Sequence, residues 1–455
     1  MRFKMLKVCL SIMLIASVAA LAACSSKNNE SKTSPSASGT QPASSSSGAP
    51  SEAKKEPIEL VFFYPVAAGG SIREVFDALA AQFNEEHGPD ITVKNVFSGS
   101  YQDTLVKVKT GVMGKDSPDL TLLSSTALFE LLDMDAIMPL DDLIAKDGGD
   151  AYVNDFYEAF LANGRTEGQL YSIPFQRSTI ILYYNKDLFR KAGLDPEKPP
   201  TNYAELVEYG KALTKDGTWG LEITATDFIQ WMFHAFALQN GKNIMNQDGT
   251  EMYLDTPENV EALQFWKDMI YEHKMMPTGA TAWGTIPTDF ISQKTAMMYH
   301  TTGNLGTVRN GATFDFGTAF LPAGKQYGTP VGGANLYIIK GLPQERQDAA
   351  WTFIRWLTEP ERMAQFSIDT GYVAATKSSY DTETMKKFTA EFPQFLTARD
   401  QLEYAASSFS VHNQGEITKV FMSELQAAIV SNADPAESLK KIQKAADEAL
   451  KQYHN

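Results

Sequence analysis

Two α/β lobes are what this sequence predicts, and three observations carry the prediction. A unit of strand, Gly-rich turn and helix begins abruptly at Pro57, and further strand and helix patterns follow it. The same alternation restarts after Ile180-Ile-Leu-Tyr-Tyr184. With 455 residues and 43% hydrophobic content, the chain is long enough for two or three domains and apolar enough for sizeable cores.

The first unit is Pro57-Ile-Glu-Leu-Val-Phe-Phe-Tyr64, a β-rich run that breaks at AAGGS. IREVFDALAAQFNEEH follows, with Ile72, Val75, Phe76, Leu79 and Phe83 at helical spacing. ITVKNVF then reads as a strand, YQDTLVKVKTGVM as a helix, DLTLLS as a strand and STALFELLDM as a helix. Such alternation implies helices around a largely parallel sheet. PFQRST reads as a polar bend leading into the buried strand IILYY, which opens the second lobe. Helices follow at YAELVEYGKALTK and PENVEALQFWKDMIYE. Thr256 can cap the latter, and Pro257 at its first position sacrifices no needed N–H. TAMMYH and GGANLYIIKG are later strands, and ERQDAAWTFIRWLTE, EITKVFMSELQAAIV and ESLKKIQKAADEALKQY are the last helices. No solenoid repeat recurs.

The N-terminus is an export signal. Arg2, Lys4 and Lys7 precede an apolar run from Val8 to Ala20, which is shorter than the roughly 20 residues a membrane-crossing helix needs. Leu21-Ala22-Ala23-Cys24 resembles the bacterial lipobox, which implies cleavage after residue 23 and lipidation of the Cys24 sulfur. Each buried acyl methylene contributes about 0.8 kcal/mol, so several chains hold a protein on a membrane without a spanning helix. Residues 24–56 are rich in Ser, Pro, Gly and Lys with no large apolar side chain, so they read as a flexible tether.

Composition excludes several classes. The other cysteine, Cys9, lies inside the signal, so the mature chain has neither a disulfide nor thiol chemistry. Loss of residues 1–23 removes three positive charges and no acids and moves the formal net charge from -15 to -18. That balance argues against nucleic acid as a partner. There is no GxSxG, P-loop, HExxH or CxxC. His87, His234, His273, His300, His412 and His454 are scattered, with no pair at helical ligand spacing. The run from Asn246 to Glu251 lacks the ligand ladder of a calcium loop and reads as a surface turn. No catalytic residue, metal or cofactor is therefore expected.

Two features invite a ligand. Beside Tyr64, Gly69-Gly70-Ser71 precede a helix whose first N–H groups lack internal partners; either a polar or anionic group docks there or Ser71 simply caps. Tyr101, Phe228, Trp231, Trp283 and Tyr372 fall near strand or helix ends, where aromatic faces with OH or NH groups suit sugars.

A family resemblance then organises these residues. PFQRSTIILYYNKDLFRKAGLDPEKPPTNYAEL, with GSYQDTL, SPDLTLL, AIMPLDDLI, TAMMYHTTGNL, GGANLYIIKG and TGYVAATKSSYD, resembles the family 1 extracellular solute-binding proteins of ABC importers, and within them the glycerol-3-phosphate receptor branch. The resemblance runs from about Leu60 to the C-terminus in the same order. It implies a periplasmic-binding-protein-like fold of type II. Two lobes, 57–176 plus 331–375 and 177–330 plus 376–455, are joined by crossovers at PFQRST, TPVGGAN and GYVAATK, with the ligand cleft between them. It carries ligand contact to Tyr101, Ser178, Gly333 and Tyr372. The branch's cleft Trp falls near Phe228 and its turn Ser near Thr301 or Thr302. Tyr64, Trp231 and Trp283 complete the candidates. Two positions depart from the branch: its acidic residue aligns with Ser125, and its Arg falls in SSFSVHNQ near Ser410.

Losing that Arg removes a planar fork suited to phosphate. Arg177 or the Gly-Gly-Ser helix start can stand in only from unmatched positions, and Arg177 reads otherwise as an interlobe salt bridge. A sugar or oligosaccharide is thus expected over glycerol-3-phosphate or a glycerophosphodiester, captured by a monomeric lipoprotein on the outer face of the cytoplasmic membrane and delivered to ABC permease subunits. A secreted glycosidase needs two placed carboxylates, which the cleft segments lack. A surface sensor is the remaining class.

Overall fold

The computed structural model describes residues 56–66 and 72–453. The export signal, Cys24, the tether up to residue 55 and the Gly69-Gly70-Ser71 turn lie outside the described residues. Strand β1 (Ile58–Tyr64) turns Leu60, Phe62 and Tyr64 to one buried face, as strand alternation requires. Helix α1 (Ile72–His87) covers that face with Ile72, Phe76 and Phe83. β2 (Ile91–Phe97) lies parallel to β1 in register from Ile58 opposite Ile91 to Tyr64 opposite Phe97. Helix α2 (Tyr101–Gly114) opens with a reciprocal capping box between Ser100 and Asp103, which fixes Tyr101 at its first turn. β3 (Leu120–Ser124) is parallel to β1 on its other side and passes through a short turn, Ser125–Ala127, into α3 (Leu128–Asp133).

The expected bend at PFQRST is instead part of one unbroken strand, β4 (Ile173–Asn185), buried at every residue. It is buried on both faces because a core lies on each: Ile181 and Tyr183 join the apolar cluster of Leu60, Phe76 and Phe353, while Ile180, Leu182 and Tyr184 join that of Phe233, Trp266 and Phe421. Helix α4 (Ile229–Gln239) is buried almost all round. Its neighbour α5 (Pro257–Tyr271) starts as predicted, with Thr256 Oγ1 accepting from Asn259 N–H and Pro257 in the first turn.

The largely parallel sheet holds for β1, β2 and β3 and fails beyond them. β4 pairs antiparallel with β5 (Met297–Thr301), with β6 (Phe316–Ala319) and with β7 (Thr329–Ile338), and β7 pairs antiparallel with β3. The reason is directional: β4 leaves the first half of the sheet as β7 returns to it, so the two run opposed. The main order is β2-β1-β3-β7-β4-β5, with the short β8 (Ala405–Ala406) on β7. Helices α6 (Gln344–Leu357) and α7 (Pro360–Thr370) back the first half, and α8 (Gln414–Val430) with α9 (Pro435–Leu450) back the second. Among the described residues, no helix is long and apolar enough to cross a membrane.

Candidate functional site

Where β3, β4, β5 and β7 end or cross, side chains surround a cavity of about 690 Å³, part of it open to solvent. Of the residues singled out from sequence, Tyr101, Ser125, Ser178, Phe228, Trp231, Trp283, Gly333 and Tyr372 line it. They arrive on several elements: Tyr101 on the capped start of α2, Ser125 on the turn after β3, Ser178 on β4, Phe228 and Trp231 at the start of α4, and Gly333 on β7. Tyr372 is drawn in because Val373 N–H donates to Arg177 O at 2.7 Å.

Three candidates stand elsewhere. Tyr64 shares the inward face of β1, packs 4.7 Å from Phe76 and donates its hydroxyl to Asp77 at 3.1 Å. Thr302 is buried and accepts from Thr179 N–H, while its neighbour Thr301 lines the cavity. Arg177 points to the opposite face of β4 from Ser178, as alternation dictates. Its Nη1 donates to Asn335 Oδ1 at 2.8 Å and its guanidinium lies 5.0 Å over Phe160. Burial pushes its pKa down to about 9, with Tyr337 and Tyr101 opposing. No acidic partner pairs with it among the described residues, which corrects the salt-bridge reading.

The aromatic wall is built from behind. Trp231 Nε1–H donates to Val331 O at 2.9 Å, and its ring lies so close to β7 that a Cβ on Gly332 would meet it at 2.5 Å. Trp283 stacks on His300 with ring centres 3.8 Å apart and lies 4.7 Å from Phe228. Burial holds His300 down to about 4, so its imidazole is neutral near pH 7: Nε2–H donates to Trp283 O at 3.2 Å and Nδ1 accepts from Asn304 at 3.0 Å. Phe228 takes a left-handed φ of 62°, a conformation costly for a bulky residue, directly before α4.

The lining is chemically uniform in one respect: every residue on it is uncharged. Ser125 Oγ and Gln230 Oε1 are buried there with no hydrogen-bond partner in the protein, and burial together with the adjacent Tyr372 raises the Tyr101 pKa well above the ordinary value. Sequence reasoning missed Ser124, Thr126, Gln230, Gly332, Ser408, Phe409 and Gln414. Small polar residues carry no periodic signal; only SSFSVHNQ pointed at Ser408 and Phe409. In that segment Ser410 donates to Thr126 O at 3.0 Å and ties two walls together. Among the described residues, no group of three or more His, Cys, Asp or Glu is placed to hold a metal ion.

Comparison with known proteins gives this geometry a context. The profile of the bacterial extracellular solute-binding protein family matches residues 78–394. The sn-glycerol-3-phosphate-binding periplasmic protein UgpB of Escherichia coli K12 is 26% identical over 406 residues, covering 84% of this chain and 91% of that protein. The crystal structure of UgpB from Mycobacterium tuberculosis in complex with glycerophosphocholine superposes with a TM-score of 0.76 at 26% identity, over 88% of this chain and 99% of that one. The cyclic alpha-maltosyl-1,6-maltose binding protein of Arthrobacter globiformis shares the fold, with a TM-score of 0.75 at 24% identity over 87% of this chain and all of that one. A profile match over most of the chain, on an α/β fold common to these receptors along nearly their full length, places this chain in the bacterial extracellular solute-binding proteins, the receptors of ABC importers.

Proposed function

We propose that this receptor captures a neutral sugar or oligosaccharide between two lobes, 57–176 plus 331–375 and 177–330 plus 376–455, and hands it unchanged to an ABC permease. The carrying observation is the uncharged lining, in which aromatic faces alternate with hydroxyl and amide groups. Flat apolar faces and polar rims on a sugar match it. Buried oxygens such as Ser125 Oγ then supply selectivity, since a solute that leaves one unpaired costs roughly 1 to 3 kcal/mol. Solute contacts to both lobes favour closure, and the population shifts only by their differential affinity for the closed state.

A second reading, glycerol-3-phosphate or a glycerophosphodiester, is supported by the two relatives at 26% identity. The distinguishing measurement is calorimetry on sugars, polyols and glycerol phosphates at low and moderate salt. A neutral sugar has no net charge to screen, so its affinity should change less than about twofold, and Arg177→Gln should leave it within about threefold. Tight binding of glycerol-3-phosphate with no response to any sugar overturns the sugar reading. Hydrolysed product after prolonged incubation with a bound oligosaccharide overturns the receptor-only reading.

The same proposal makes the protein a monomer held on the outer face of the cytoplasmic membrane by lipid on Cys24. Cys24→Ala should move it from the membrane to the soluble fraction. Retention on membranes after a high-salt wash sinks the anchor.

A further inference from the structure

One carboxylate away from the cavity gathers donors from two other segments of the chain. Asp133, the last residue of α3, accepts from His412 Nδ1–H at 2.6 Å and from Tyr453 Oη at 2.9 Å on one oxygen, and from Asn413 N–H at 3.2 Å on the other. The His412 ring is held between Tyr453, with ring centres 4.1 Å apart and 16° between planes, and Phe129, 4.6 Å away on α3. The donors are fixed independently of the acid. His412 N–H donates to Gly249 O at 3.0 Å, and the Asn413 side chain donates to Ala449 O at 2.8 Å on α9. Burial works against the Asp133 carboxylate, yet the bonds from His412, Asn413 and Tyr453 and the His412 charge outweigh it and hold its pKa below the ordinary value. Three donors on one carboxylate are charge-assisted bonds, the stronger kind.

Resting on the two-lobe reading above, we infer that Asp133 on one lobe and His412, Asn413 and Tyr453 on the other form a closure latch, made only when the lobes meet, which adds to solute affinity from outside the cavity whatever the solute is. The proposed crossovers near 176, 331 and 375 fall in neither α3 nor the 410–414 segment, so hinge motion is free to part them. Continuity with the cavity is direct: α3 continues the turn whose Ser125 and Thr126 line it, and Ser410 bonds to Thr126 O. These residues position the lobes and do not touch solute.

The test needs no solute. In the full chain with Cys9 and Cys24 changed to serine, spin labels go on Met113→Cys and Glu208→Cys, exposed positions on the two proposed lobes. Pulsed electron-spin distance measurements then read open and closed populations. We expect a closed share in the parent that Asp133→Asn and His412→Ala each reduce at least about threefold, with no further loss in the double variant. Equal open and closed shares in parent and variants overturn the latch while leaving the moving lobes intact. A lowered unfolding midpoint without a change in the distance ratio also overturns it, by making the cluster a fold contact only. One fixed distance in every variant and with every sugar tried overturns the two-lobe reading itself.

Discussion

Gly333→Ala should destabilise the fold by about 3 kcal/mol or more and abolish solute binding. Two costs add at this residue. Its φ is +90°, a backbone region that L side chains rarely adopt, and an added Cβ would stand 1.9 Å from Gln176 O and 3.0 Å from Arg177 Cα. Neither neighbour is a flexible side-chain end. Both are backbone atoms of β4, which pairs with β7 at Arg177 opposite Gly333 and Ser178 opposite Gly332. Making room means parting the strands that carry Ser178 and Gly333 into the cavity. Gly341→Ala is the control: it has the same φ of +90° but open space around the added carbon. It should cost only the strain, about 1 to 2 kcal/mol. Denaturant unfolding of the two variants checks the difference, and a Gly333→Ala protein no less stable than Gly341→Ala counts against a structural clash at the crossing.

What the sequence made legible follows from how each element is buried. Helices with one wet face, α1, α2, α5, α6, α8 and α9, announced themselves through apolar spacing or a cap. α4 did not, because Ile229–Gln239 is enclosed nearly all round and an evenly apolar segment has no period to detect. The polar run Gln176-Arg177-Ser178-Thr179 reads as a bend on composition. In the fold it is a central strand whose polar side chains sit in the interior, with Arg177 against Asn335 and Phe160, a tertiary arrangement that no local pattern encodes. Alternation separated the candidates in the same way: it sent Ser178 to the cavity and Arg177 behind it, and it kept Tyr64 in the core. The aromatic wall was partly legible because Phe228, Trp231 and Trp283 lie close to helix or loop ends. Ser124 and Thr126 were not, since short polar side chains look alike in a wall and in a surface turn.

Trp231→Ala should weaken binding of the preferred sugar about 100-fold or more, the size expected when a buried aromatic anchor is lost. The indole does two things at once. Its face forms part of the cavity wall, 6.3 Å from the ring of Trp283, and its Nε1–H reaches Val331 O across to β7. Removing it takes away stacking area and frees a strand carbonyl beside Gly332 and Gly333. Because the ring is also only 8% exposed, the alanine variant should melt earlier even without solute, by the cost of a large core truncation, about 3 to 5 kcal/mol. Trp231→Phe separates the two effects: it keeps an apolar face and loses the N–H bond, so affinity should fall only about tenfold while most of the stability returns. Titration calorimetry beside thermal melts of the solute-free proteins reads both quantities. An alanine variant that melts early yet binds within threefold of the parent reassigns the ring to the core, and the wall facing the sugar is then Trp283, braced by its stack on His300.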